Sequence, residues 1–109
     1  MTALTESFEA FHSENPHVYD ALVALALDMR RRGMKRVSVD FVYQVARWEV
    51  IKSTGDIEYK LNDHHRAFYA RLIMVNEPEL VDIFELRSSE ADEWIVNILL
   101  QRQQGGNGA

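Results

Sequence analysis

Residues Leu25–Trp48 read LALDMRRRGMKRVSVDFVYQVARW. The stretch divides into the end of an apolar helix, a basic turn around Gly33, and a second amphipathic helix that starts near Ser38. Arg30, Arg31 and Arg32 suit a helix C-terminus, where the backbone dipole favours cations. Gly33 suits the left-handed position just beyond it, and Ser38 is a good N-cap. Two helices joined by a glycine turn form a helix–turn–helix, and the remaining segments fit around it as further helices.

Upstream, Leu4, Phe8 and Phe11 recur at helical spacing, so a short helix over Leu4–His12 is expected, capped by Thr2 or Thr5. Asn15-Pro16 marks the next start: Asn accepts from free N–H groups, and Pro loses no hydrogen bond in a first turn. The helix from Pro16 to about Arg32 carries Val18, Leu22, Leu25 and Met29 in one stripe, with Tyr19, Val23, Ala26 and Leu27 beside it. An arc this wide predicts a central, nearly surrounded helix.

Downstream, a third helix is expected from Val39 to about Thr54, closed by Gly55. Asp56–Leu61 alternates Ile57 and Tyr59 with Glu58 and Lys60, which predicts a short extended segment. A fourth helix follows from Asn62 or Asp63 to about Asn76, then a turn at Pro78. Phe84–Leu86 offers a partner for Ile57–Tyr59 in a minimal two-stranded ribbon. Ser89 and Asp92 fit the capping pattern before a last helix to about Gln103, with Trp94 or Ile95, Ile98 and Leu99 inward. The expectation is an all-α fold: one domain over residues 1–104, a bundle of about five helices, and a disordered tail over 105–109.

With 109 residues and no cysteine, the chain can close one core without disulfides, and thiolate zinc sites are excluded. The longest apolar run, Ala21–Leu27, is far short of the ~20 residues that cross a bilayer. The opening MTALTESFEAF has neither basic flank nor long apolar core, so no signal peptide is expected. A cytoplasmic protein with no membrane partner follows as the expectation.

The net charge of −5 conceals a segregation. Residues 1–28 carry five acids and no Lys or Arg, whereas residues 29–52 carry seven bases against two acids. Overall acidity argues against a non-specific nucleic-acid coat, but the basic block can make a local footprint for double-stranded DNA. On that reading Arg31, Arg32, Lys35 and Arg36 neutralise phosphates at the turn. Tyr43, Gln44 and Arg47, with Asp40, face outward from the second helix toward base edges, where Gln pairs with adenine and Arg with guanine. Met34, Val39 and Val42 match the apolar positions of DNA-reading helix–turn–helices. Asp28, Arg32 and Met29 depart from that pattern, and the turn through Met34–Val37 is slightly long. A wing after the third helix would add only Lys60 and Arg66, and the chain enters another helix instead.

Other chemistry is sparse. His64 and His65 are adjacent and point about 100° apart on a helix, so they do not converge on one ion. Glu58-x-Lys60 is similar to the end of a metal-dependent nuclease motif, which also needs an acidic residue on a neighbouring strand of a sheet. No metal, cofactor or catalytic residue is assigned, and the chain is read as a non-enzyme. Phe8, Phe11, Tyr19, Phe41, Trp48, Phe68, Tyr69 and Phe84 read as core. Trp94 and the last helix fit either docking onto the bundle or pairing into a homodimer.

The patterns F-x-x-F-H-x-x-N-P-x-V-Y (Phe8–Tyr19), R-W-E (Arg47–Glu49) and N-x-x-x-x-x-F-Y-A-R-L (Asn62–Leu72) resemble a family of small phage and prophage proteins, over roughly residues 8–87. The resemblance implies a phage-encoded protein acting inside a host cell and assigns no chemistry to any residue. Two functions are therefore expected: a helix–turn–helix DNA-binding regulator of transcription or phage development, or a non-enzymatic protein that binds and modulates a host or phage protein.

Overall fold

The computed structural model describes residues 2–107. It contains five α-helices: α1 (Ala3–Glu14), α2 (Pro16–Arg31), α3 (Val39–Thr54), α4 (Arg66–Asn76) and α5 (Glu90–Asn107). Short 3-10 turns at Asp63–His65 and Pro78–Leu80 flank α4. The fold is an all-α bundle. Among the described residues no helix is long and apolar enough to cross a membrane.

The local punctuation follows the side chains. Thr2 caps α1 by accepting from the Thr5 N–H, and Ser38 Oγ accepts from the Phe41 N–H. The α2 C-terminus is a Schellman turn: Gly33 N–H donates to Arg30 O at 3.0 Å and Met34 N–H to Met29 O at 3.1 Å. Gly33 adopts φ 101°, the left-handed conformation this closure requires. Ser89 and Asp92 cap α5 reciprocally, with Ser89 N–H donating to Asp92 and Ala91 N–H to Ser89 Oγ, each at 3.0 Å. Asn15 behaves differently from expectation. Its side-chain amide donates back to Phe11 O at 3.0 Å, so it closes α1 and leaves α2 without a side-chain cap.

The central helix is α4, not α2. Phe68, Tyr69, Ala70, Arg71, Leu72 and Ile73 are buried in succession, which requires neighbours all round. By contrast, α2 shows solvent a continuous strip of His17, Asp20, Ala21, Ala24, Asp28 and Arg31. Its apolar arc packs against α3, α1, α4 and the Pro78–Leu80 turn and leaves that strip uncovered. The aromatic ring of Phe8 joins three helices: it stacks on Phe68 with centroids 4.9 Å apart and meets Tyr69 and Trp94 edge-on at 4.9 and 5.1 Å. Aromatic pairs at these spacings add to the energy of burial itself.

The expected ribbon is absent. Phe84 instead forms an isolated parallel bridge with Val37, and Val37 N–H donates to Ile83 O at 2.8 Å. Asp56–Leu61 is a loop in which Ile57 is 75% exposed. Two apolar residues there cannot hold an extended segment when only Tyr59 and Leu61 reach the bundle. Helix α5 continues through Gln103 and Gly105 to Asn107, beyond the predicted helix end; residues 108 and 109 of the predicted tail lie outside the described residues.

Candidate functional site

The helix–turn–helix presents two surfaces, the basic turn and the outer face of α3. At the turn, three arginines already have carboxylate neighbours. Arg30 pairs with Asp82 at 2.6 Å, Arg31 lies 3.9 Å from Glu79, and Arg32 Nε lies 3.1 Å from both oxygens of Asp28. The hydrogen bond from Arg30 holds the Asp82 carboxyl below its usual range. These are surface pairs, each worth little and screened by salt. Lys35 and Arg36 are exposed, and among the described residues neither has a carboxylate at ion-pair distance. Of the four predicted phosphate contacts, these two are the unpaired cations.

The predicted base-facing residues do not share one surface. Tyr43 is 1% exposed, and its hydroxyl donates to Asn62 O at 2.8 Å, locking α3 to the loop before α4. Burial pushes its phenol pKa up, so the group stays a neutral donor. A ring held there cannot reach a base edge, which corrects its assignment as a reader. Arg47 is half-buried, and its Nε donates to Tyr59 O at 2.9 Å, which engages part of the guanidinium fork. Gln44 alone points freely to solvent. Gln44 and Arg47 border a shallow cleft of about 150 Å³ shared with Lys60 and Asp63. Asp40, also expected to face outward, pairs with Arg66 at 3.1 Å.

The exposed side of α3 belongs to aromatic residues that periodicity assigns to the core. Phe41 is 50% exposed and Trp48 56% exposed. They stand seven residues apart, so both lie on one side of the helix about 10 Å from each other, with Gln44 between them. Lys52 extends the same side: its ammonium lies 5.9 Å from the Trp48 ring centroid and pairs with Glu49 at 3.0 Å. The inward side is Val42, Tyr43 and Ala46. Gln44 is the signal for this arrangement, because it shares a side with Phe41 and Trp48 and a polar amide does not belong in the core.

The histidines stand apart from this surface. His65 is 2% exposed, with Nε2 3.0 Å from Ser7 Oγ and Nδ1 buried without a partner. His12 stacks on Phe8 and also has an unpartnered Nδ1. Desolvation lowers the pKa of both imidazoles. Among the described residues no group of three or more His, Cys, Asp or Glu side chains is placed to hold a metal ion.

No protein-family model, curated protein or solved structure matches the chain. Its own residues carry the functional argument.

Proposed function

We propose that the chain is a non-enzymatic interaction protein that binds a host or phage protein on the outer face of α3, with Phe41 and Trp48 as anchors. The observation that carries this reading is two large aromatic side chains, each about half exposed, on one side of one helix. Large rigid aromatics flanked by polar groups are the residue types in which binding energy concentrates, typically 2 kcal/mol or more per anchor. Gln44, Lys52 and Glu49 supply the polar margin that fixes register.

The test is capture from nuclease-treated lysate of the producing cells with three baits: the wild-type chain, Phe41→Ala/Trp48→Ala, and Lys35→Ala/Arg36→Ala. A partner held by the first and third baits and lost by the second supports the reading. Equal capture by all three, or loss of every partner on nuclease treatment, contradicts it.

A second reading is a helix–turn–helix DNA-binding regulator. It is favoured by the exposed, unpaired Lys35 and Arg36 in the Gly33 turn, with Arg31 and Arg32 beside them in pairs that phosphate can displace. Gln44 is the one predicted base reader with a free side chain.

A further inference from the structure

We propose that the cleft between α3 and residues 60–63 is a carboxylate site, and that its occupant is a glutamate side chain of the protein that docks on α3. The identity of the occupant rests on the α3 reading above. The carboxylate preference rests on the side chains of the cleft itself.

Tyr43, Gln44 and Arg47 line the cleft from α3, and Lys60, Leu61 and Asp63 line it from the following loop. Tyr43 and Leu61 are buried, so the base of the cleft is apolar. The bond from Arg47 Nε to Tyr59 O holds the half-buried guanidinium in place. Its two terminal nitrogens, the pair that receives a carboxylate end-on, have no hydrogen-bond partner among the described residues. Lys60 is exposed, and neither cation has a carboxylate at ion-pair distance among the described residues. Asp63 also lines the cleft, with its carboxylate 3.9 Å from Arg66. Arg47 and Lys60 against Asp63 leave a surplus of positive charge here, in a chain whose net charge is −5.

A guanidinium already held by a backbone carbonyl loses less rotamer freedom when it binds, and partial burial strengthens each charge-assisted hydrogen bond it makes. A glutamate matches the lining group by group. Its carboxylate meets Arg47 and Lys60, the Gln44 amide is a further donor, and its two methylenes lie on Tyr43 and Leu61. The volume of about 150 Å³ admits one side chain. Gln44 links this cleft to the docking face, because it stands between Phe41 and Trp48 and also lines the cleft. A protein surface that buries those two rings reaches Gln44, and an acidic side chain at its margin enters the cleft. Phosphate shares the charge of a carboxylate and brings no methylene stem for the apolar base, so the lining favours the amino-acid side chain.

Titration of the full chain with the blocked tripeptide acetyl-Ala-Glu-Ala-amide, followed by proton–nitrogen NMR, tests the proposal without the partner. Saturable shifts should be confined to Gln44, Arg47 and residues 60–63, and acetyl-Ala-Gln-Ala-amide should give none. Arg47→Gln/Lys60→Gln should raise the dissociation constant on the order of tenfold. Lys60→Gln alone, at an exposed position, should raise it by a smaller factor and keeps the test independent of the Arg47–Tyr59 bond. Shifts spread equally over Lys35, Arg36 and Arg87, an equal response to the glutamine peptide, or unchanged affinity in both variants overturns the site. Inorganic phosphate bound at the same residues more tightly than the glutamate peptide also overturns it and assigns the cleft to phosphate. The two readings fail separately. A negative titration beside successful capture through Phe41 and Trp48 removes the carboxylate site alone, whereas a positive titration beside failed capture overturns the proposed occupant.

Discussion

The Arg71 side chain is 96% buried, and its Nε donates to Asp92 Oδ1 at 2.7 Å. The other oxygen of Asp92 accepts from the Ser89 N–H, so one carboxylate both neutralises the core cation and starts α5. Arg71 also donates to Ala67 O at 2.9 Å and Arg87 O at 2.6 Å, tying α4 to the segment that leads into α5. Its hydrogen bond, ahead of that from Ser89, holds the Asp92 carboxyl below its usual range.

Arg71→Met should therefore destabilise the protein by about 2 kcal/mol, because Met fills the space but removes the hydrogen bonds that tie α4 to Asp92 and Arg87. Asp92→Asn should cost less, since it retains one acceptor and carries no charge. Urea denaturation measures both, and a midpoint for Arg71→Met equal to wild type would refute this role.

Acidification should weaken the fold through two desolvated imidazoles. His12 and His65 have pKa values below the ordinary imidazole value of 6.5, so the unfolded chain takes up protons that the folded chain refuses. Stability is full above about pH 6.5 and declines as pH falls from there through the folded-state values. Neither buried Nδ1 has an acceptor, and the nearest titratable influences are Asp20 for His12 and His64 for His65. Thermal midpoints should drop between about pH 6.5 and 5 in the wild type and much less in His12→Phe/His65→Phe. Identical slopes would assign the effect elsewhere.

Gly33→Ala should cost roughly 1 kcal/mol, the penalty for an L-residue in the left-handed region. At φ 101° nothing lies within 4 Å of an added Cβ, so no clash enlarges the loss. Calorimetry of the variant checks this, and an unchanged midpoint would show that the Schellman turn contributes nothing.

On the DNA reading, Lys35→Ala/Arg36→Ala should weaken binding to every duplex alike. It should also reduce the slope of log affinity against log salt by about 2, one per phosphate lost. Fluorescence anisotropy at several salt concentrations measures both. An unchanged slope would remove these residues from any phosphate contact.

Features that act within a few residues are legible in the chain: Gly33, Ser38, Gly55 and the Ser89–Asp92 box each satisfy backbone groups of their own turn. Features made by distant segments are not. Arg71 reads as a surface residue until Asp92, 21 positions away, folds against it. Nothing within α3 shows that residues 59–62 will cover Tyr43 and engage Arg47. Phe41 and Trp48 satisfy a helical period, and period alone does not say which of two apolar-bearing sides of a helix faces inward. The wide arc of α2 likewise reports apolar width, whereas centrality belongs to α4 because helices close on both sides of it.

The most direct test of the α3 reading is photo-cross-linking in nuclease-treated lysate. A photoreactive side chain is placed in turn at Phe41, at Trp48 and at Val81, the last being 64% exposed and outside α3. The account predicts one shared protein adduct from positions 41 and 48 and none from 81. No protein adduct from 41 and 48, or the same adducts from all three positions, would contradict it.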